Sequence, residues 1–148
     1  MSDQENLRLA YEQALKSYHE GGLPIGSVMV DASGALIGAG HNKRVQENNP
    51  ILHGEMDCIR SVGPRKNYQG LTLYTTLSPC MMCSGTIVQF GIKRVVVGED
   101  ENFKGNIDFL EKNGVEVVLL KDAQCTALMK KFQQEKPELW LEDIGEGA

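Results

Sequence analysis

Two thiols three positions apart, Cys80 and Cys83, follow closely on Leu71-Thr72-Leu73-Tyr74-Thr75-Thr76, a run that reads as a buried strand. A C-x-x-C pair alone fits a zinc half-site, a thioredoxin-like redox pair or coincidence. Upstream, His53-Gly54-Glu55 adds an imidazole and a carboxylate two residues apart. Taken singly, His53 reads as a capping or surface residue and Glu55 as a solvated carboxylate answering a helix dipole. Taken together they complete a set. A catalytic zinc takes three protein ligands and keeps one position open, and imidazole and thiolate are suitable donors. His53, Cys80 and Cys83 are such ligands, whereas a structural zinc would need a fourth, and Cys58, Cys125, His19 and His41 lack paired-ligand spacing. Zinc brings the ionisation of a bound water from about 15.7 to about 7. Glu55, held beside the metal without binding it, is placed to carry protons. Such a pair suits a hydrolysis, in which a proton must be taken from water and returned to the leaving group. The rival from another class is a dithiol redox protein using Cys80 and Cys83.

The elements that must position these residues are visible as patterns. Leu7, Ala10, Tyr11, Ala14, Leu15 and Tyr18 fall at helical spacing between Asp3 and Glu20, and Gly21-Gly22 with Pro24 ends that helix. Ile25 to Val30 and Leu36 to Gly40, joined by Asp31-Ala32-Ser33-Gly34, read as a hairpin. The polar stretch from His41 to Pro50 is a loop leading to His53. A helix is expected from Leu52 to about Val62, with His53 and Glu55 in its first turn. A second is expected from Cys80 to about Phe90, after Pro79. Further strands are expected at Arg94 to Gly98 and Val115 to Leu120, and helices at Ile107 to Lys112 and Ala123 to Lys136. A tail follows with the only tryptophan, Trp140. Strands alternating with helices indicate an α/β sandwich with helices on both faces of a mixed sheet.

The chain as a whole narrows the partners. Its 148 residues suit one domain, spanning 1–148 with no internal linker, and no apolar run reaches the length of a membrane span. Fifteen basic against twenty acidic residues give a net charge of -5, and the basic pairs are scattered. Nucleic acid, which needs clustered Lys and Arg, is therefore a poor fit, and a small neutral substrate a better one. Met1-Ser2-Asp3-Gln4-Glu5 has no basic and apolar leader, so a cytoplasmic protein is expected. Cys58 and Cys125 read as core residues, and Met81 and Met82 as packing or pocket wall.

His53-Gly54-Glu55 and Thr75-Thr76-Leu77-Ser78-Pro79-Cys80-Met81-Met82-Cys83 resemble the cytidine/deoxycytidylate deaminase superfamily. Gly21 to Gly26, Gly40 to Arg44, Val97 to Glu99 with Asn102 to Lys104, and Trp140 to Glu146 are similar to its fungal-type cytosine deaminase branch, so the likeness runs from about Leu7 to Glu146. The resemblance implies a three-layer α/β/α sandwich with a five-stranded sheet, a homodimer, one zinc per subunit on His53, Cys80 and Cys83, and Glu55 as proton shuttle. It implies substrate binding by Asn42, Gly54, Ser78, Phe103, Trp140 and Asp143. Asn42 and the Gly54 amide would meet the pyrimidine carbonyl, and Asp143 would hold the opposite edge or orient Asn42. Phe103 and Trp140 would cover the ring, with the tail 137–148 as a lid. The implied reaction is cytosine to uracil and ammonia in pyrimidine salvage. Leu141, where relatives have a second aromatic, and Met56-Asp57-Cys58, where they have smaller hydroxyl-bearing residues, could reshape the pocket toward isocytosine or another small aminated base such as guanine; deamination of tRNA adenosine is a further alternative, for which the acidic balance offers no basic face.

Overall fold

Ser2 starts the first helix by a reciprocal cap, in which the Glu5 N–H donates to Ser2 Oγ (3.2 Å) and the Ser2 N–H donates to Glu5 Oε1 (3.0 Å). The computed structural model describes residues 1–147. In chain order the elements are α1 (Asp3–His19), β1 (Gly26–Val30), β2 (Leu36–His41), α2 (Gly54–Val62), β3 (Thr72–Leu77), α3 (Met81–Gln89), β4 (Arg94–Glu99), α4 (Ile107–Lys112), β5 (Glu116–Leu119), α5 (Ala123–Glu135) and α6 (Pro137–Asp143).

The strands form one mixed sheet in the order β2-β1-β3-β4-β5. β1 is antiparallel to β2 and β3, and β4 runs parallel to both β3 and β5. Alternate residues of each central strand enter opposite cores. Met29, Leu73, Val95 and Val97 pack with Cys58, Ile87 and Leu110 from α2, α3 and α4. Val28, Val30, Tyr74 and Val96 pack with Leu7 and Ala10 of α1 and Cys125 of α5. A strand covered on both faces needs an unbroken apolar run, which is what Arg94-Val95-Val96-Val97 supplies. The result is the expected α/β/α sandwich.

A third cluster closes one end of the sheet, where Leu23, Ile25 and Leu77 meet Met129, Phe132 and Trp140. Here the structure adds something to the sequence reading. The tail forms a seven-residue helix, α6, with Pro137 in its first turn. Seven residues are too few for a helical period to stand out, and Pro137 punctuates the chain just ahead. The two ligand-bearing helices also begin later than expected, α2 by two residues and α3 by one, because His53 and Cys80 are their N-caps rather than part of their first turns.

Candidate active site

Both N-caps have extended backbone, so their side chains swing off the helix axes and meet at the carboxyl end of β3. His53 Nδ1 lies 3.5 Å from Cys80 Sγ and 3.7 Å from Cys83 Sγ. A tetrahedral zinc with about 2.05 Å to nitrogen and 2.3 Å to sulfur spans its N and S ligands by about 3.6 Å. The three ligand atoms, all within 4.8 Å of one another, therefore fit that ion, and they are the metal-capable group found among the described residues. The set is soft and contains one nitrogen and two sulfurs, which favours zinc over hard cations.

The local electrostatics favour ligation. Cys80 Sγ accepts the Cys83 N–H at the start of α3, 3.5 Å away. Hydrogen bonding from the Cys83 thiol, helped by His53, pulls Cys80 down to about 4, while the same bond and burial push Cys83 up. Burial disfavours a charged His53, but the contacts with Asp143 and Cys80 outweigh it and raise the imidazole to about 10. Metal binding takes the place of these shared protons. Burial lifts Glu55 to about 7, with the nearby Cys80 charge adding to the effect. A carboxyl group that titrates near neutrality, only 3% exposed, can both accept and return a proton.

Asp143 lines the same pocket as His53, Glu55 and Cys80, and it also approaches a ligand residue. Its Oδ1 lies 3.3 Å from His53 Nε2, on the far side of the imidazole from the sulfurs, and nothing ties it to Asn42. An imidazole that binds metal through one nitrogen and meets a carboxylate at the other is held in one tautomer and one orientation. Sequence spacing held no signal for this contact, which joins residues 90 positions apart.

Asn42 follows the last residue of β2, and its N–H donates to Ile25 O (2.9 Å). Its Oδ1 accepts the Arg44 N–H (2.9 Å), which fixes the amide orientation and leaves Nδ2 buried without a partner. A buried donor left in that state gains most from a ligand acceptor. Gly54 packs against the Ile25 carbonyl so closely that a Cβ would sit 2.9 Å from it, which brings the first amide of α2 to the same corner. Ser78 lines the pocket, but its N–H donates to Glu99 O (2.9 Å) and its hydroxyl to Lys104 O (2.9 Å), so neither of these donors is free for a ligand. Phe103 and Trp140 meet edge to face, centroids 5.8 Å apart, and roof the site with Ile144. Beneath that roof, Ile25, His53, Glu55, Leu77, Ser78, Cys80 and Asp143 line a pocket of about 20 Å³, room for about one water. Asn42 is not among the residues lining this closed cavity. A wider open groove of about 580 Å³ runs along Glu99, Lys121 and Lys130, away from the ligand cluster. Met81, at 54% exposed, is a surface residue rather than pocket wall.

A family profile, the cytidine and deoxycytidylate deaminase zinc-binding region, matches residues 1–99, which include His53, Glu55, Cys80 and Cys83. The chain belongs to that deaminase family. It is 53% identical over 146 residues to a cytosine deaminase of Candida albicans, with 97% of each chain covered. It is 32% identical to a tRNA-specific adenosine deaminase of Haemophilus influenzae, covering 92% of this chain and 86% of the relative. Its fold superposes on a guanine deaminase from Nitrosomonas europaea with a TM-score of 0.74 at 21% identity, covering 87% of this chain and 83% of the other. The chain is thus a zinc-dependent hydrolase of the deaminase family.

Two further sets of contacts in this deaminase hold the site together and went unread in the sequence. Glu99, 1% exposed, accepts the Glu101 and Asn102 N–H groups and Asn102 Nδ2, stapling the loop that carries Phe103. Arg44 pairs with Glu142 at 2.9 Å, joining the Asn42 loop to α6. Gly-His-Asn and Val-Gly-Glu in the sequence gave the first hint of both loops without saying what would hold them.

Proposed function

We propose that the protein is a cytosine deaminase, converting free cytosine to uracil and ammonia. The observation that carries the substrate class is the roof. Phe103, Trp140 and Ile144 stand over His53, Cys80 and Glu55 and leave only about 20 Å³ of free space, which favours a small flat ring over a nucleoside or a polynucleotide. The 53% identity to the Candida albicans cytosine deaminase supports the same reading, because it spans the zinc-binding region and the roof alike.

Zinc held by His53, Cys80 and Cys83 would supply a water ionised near neutral pH. The rest of the chemistry belongs to the chain. Asn42 Nδ2 and the Gly54 amide donate to the base carbonyl and set its orientation. The Glu55 carboxylate takes one proton from the attacking water and delivers it to the ring nitrogen, then takes the proton of the hydroxyl that water has become on the ring carbon and delivers it to the amino group, which leaves as ammonia. The Ser78 carbonyl oxygen accepts from that amino group. Asp143 steadies His53 at Nε2. Phe103 and Trp140 hold the ring and exclude bulk water.

A base cannot enter a cavity of about 20 Å³ without displacement of the roof, so the tail from 137 acts as a lid on a single catalytic domain. We place the enzyme in the cytoplasm, in pyrimidine salvage, as a homodimer. The exposed apolar side chains of Val45, Ile51, Met81 and Phe90 support self-association. Among the described residues no helix is long and apolar enough to cross a membrane.

Metal analysis with turnover tests the proposal. The expected outcome is about one zinc per chain, loss of cytosine turnover on chelation, and recovery with added zinc. A zinc-free protein that cycles between dithiol and disulfide would overturn it.

A further inference from the structure

We propose that Asp57 is a positioning residue that fixes the Asn42 amide against the start of α2, so that base affinity depends on a carboxylate that never meets the base. The inference rests on the reading of Asn42 as donor to the base carbonyl. Asp57 is 3% exposed, on the same helix as Gly54 and Glu55. The His41 N–H donates to its Oδ2 at 3.0 Å. Lys43 Nζ reaches back to the same carboxylate, 3.2 Å from Oδ1 and 3.0 Å from Oδ2. Arg60 Nη2 donates to Oδ1 at 2.7 Å. His41 and Lys43 are the two neighbours of Asn42, so one side chain grips the chain on both sides of the donor.

The grip has little slack. A Cβ on Gly40 would lie 2.6 Å from the Asp57 carbonyl carbon and 2.8 Å from Oδ2, so the end of β2 is pressed directly onto α2. The other anchors of Asn42 come from elsewhere. Ser17 Oγ and Gln46 Nε2 donate to its carbonyl at 2.7 and 3.1 Å, and its own N–H reaches Ile25 O. These tie the donor to α1, to its own loop and to β1. The contacts through Asp57 tie it to the helix that also carries Gly54 and the proton-carrying Glu55. A shift of that helix against the Asn42 loop would separate the two donors to the base carbonyl, Asn42 Nδ2 and the Gly54 amide, and so weaken binding of the base.

Burial alone would raise Asp57, but the His41 N–H, Lys43 and Arg60 hold it below the usual carboxylate range. The anion is therefore maintained, and Lys43 is held over the turn by charge as well as by hydrogen bonding.

Steady-state kinetics of zinc-loaded variants decide the matter. Asp57→Ala is expected to raise KM for cytosine about tenfold with kcat within about twofold of the parent and zinc content unchanged. Asp57→Asn, which keeps an acceptor for the His41 N–H, recovers most of that loss, leaving KM about threefold raised. Lys43→Met raises KM modestly and adds little to Asp57→Ala, because both act through one contact. Should Asp57→Ala not fold, Asp57→Asn and Lys43→Met carry the test by the same KM criterion. An unchanged KM in these folded, zinc-loaded variants overturns the inference, as does a fall in kcat with KM unmoved. Asn42→Ala separates the two ideas. If it leaves KM unchanged, the reading of Asn42 itself fails; if it raises KM while the Asp57 variants do not, only the positioning role fails.

Discussion

In the proposed reaction Glu55 and Asp143 divide two tasks that a single carboxylate could not perform at once. Glu55 is buried and lifted to about 7, so it can hold a proton and give it up. Asp143 Oδ1 stands 3.3 Å from His53 Nε2. Glu55→Ala is expected to retain zinc, measured by metal analysis, while kcat falls at least about a thousandfold. Asp143→Ala should instead weaken zinc binding by about 10–100-fold in a chelator competition, because the imidazole loses its second contact. The ligand set and Glu55 were legible in the sequence because each pair sits within one short motif whose spacing is its own evidence. Asp143 was legible as a site residue but not as a partner of His53. Asp57 was legible only as a departure that could reshape the pocket, since the meaning of an acid there lies in a strand end that packs onto it from another part of the chain.

At the level of elements, two helix N-termini bring the ligands together and a third helix covers them. α2 and α3 begin immediately after His53 and Cys80, and in α3 the first-turn Cys83 N–H donates to Cys80 Sγ. α6 reaches the site from the other end of the chain and packs Trp140 on Leu23, Ile25, Leu77 and Phe132. Trp140→Ala is expected to raise KM for cytosine about tenfold or more while leaving zinc in place, since Asp143 and the ligands remain. Equal loss of zinc and affinity would mean that α6 is structural support rather than a lid. Strand and helix order was readable from period and punctuation. The helical state of the tail was not, because its inward face is set by a tertiary cluster rather than by its own propensity.

For the molecule as a whole, the beginning of the chain is pinned to the middle of the sheet. Asp3 receives both Arg94 Nη1 (3.0 Å) and Arg94 Nη2 (2.7 Å), and Tyr74 Oη donates to it at 2.7 Å. The Arg94 hydrogen bonds hold Asp3 below its usual 3.8. A carboxylate with a depressed folded value stabilises the fold above its unfolded pKa and loses that contribution as pH falls through the folded one. Asp3→Asn should therefore cost about 0.5–1 kcal/mol at pH 7, read from the urea midpoint, and the gap to the parent should close in acid below the usual 3.8. The sandwich was legible from the alternation of elements. The contacts that lock it, such as Asp3 to Arg94 across 91 positions, were not, because nothing local marks them.

The central claim is that a roofed zinc site with one proton-carrying carboxylate acts on a free pyrimidine base. Ammonia release by the zinc-loaded protein, measured side by side for cytosine, isocytosine, guanine, cytidine and tRNA, tests it most directly. The account predicts ammonia and uracil in equal amounts from cytosine, with no release from cytidine or tRNA. Turnover of cytidine or of tRNA adenosine in preference to the free base would contradict it.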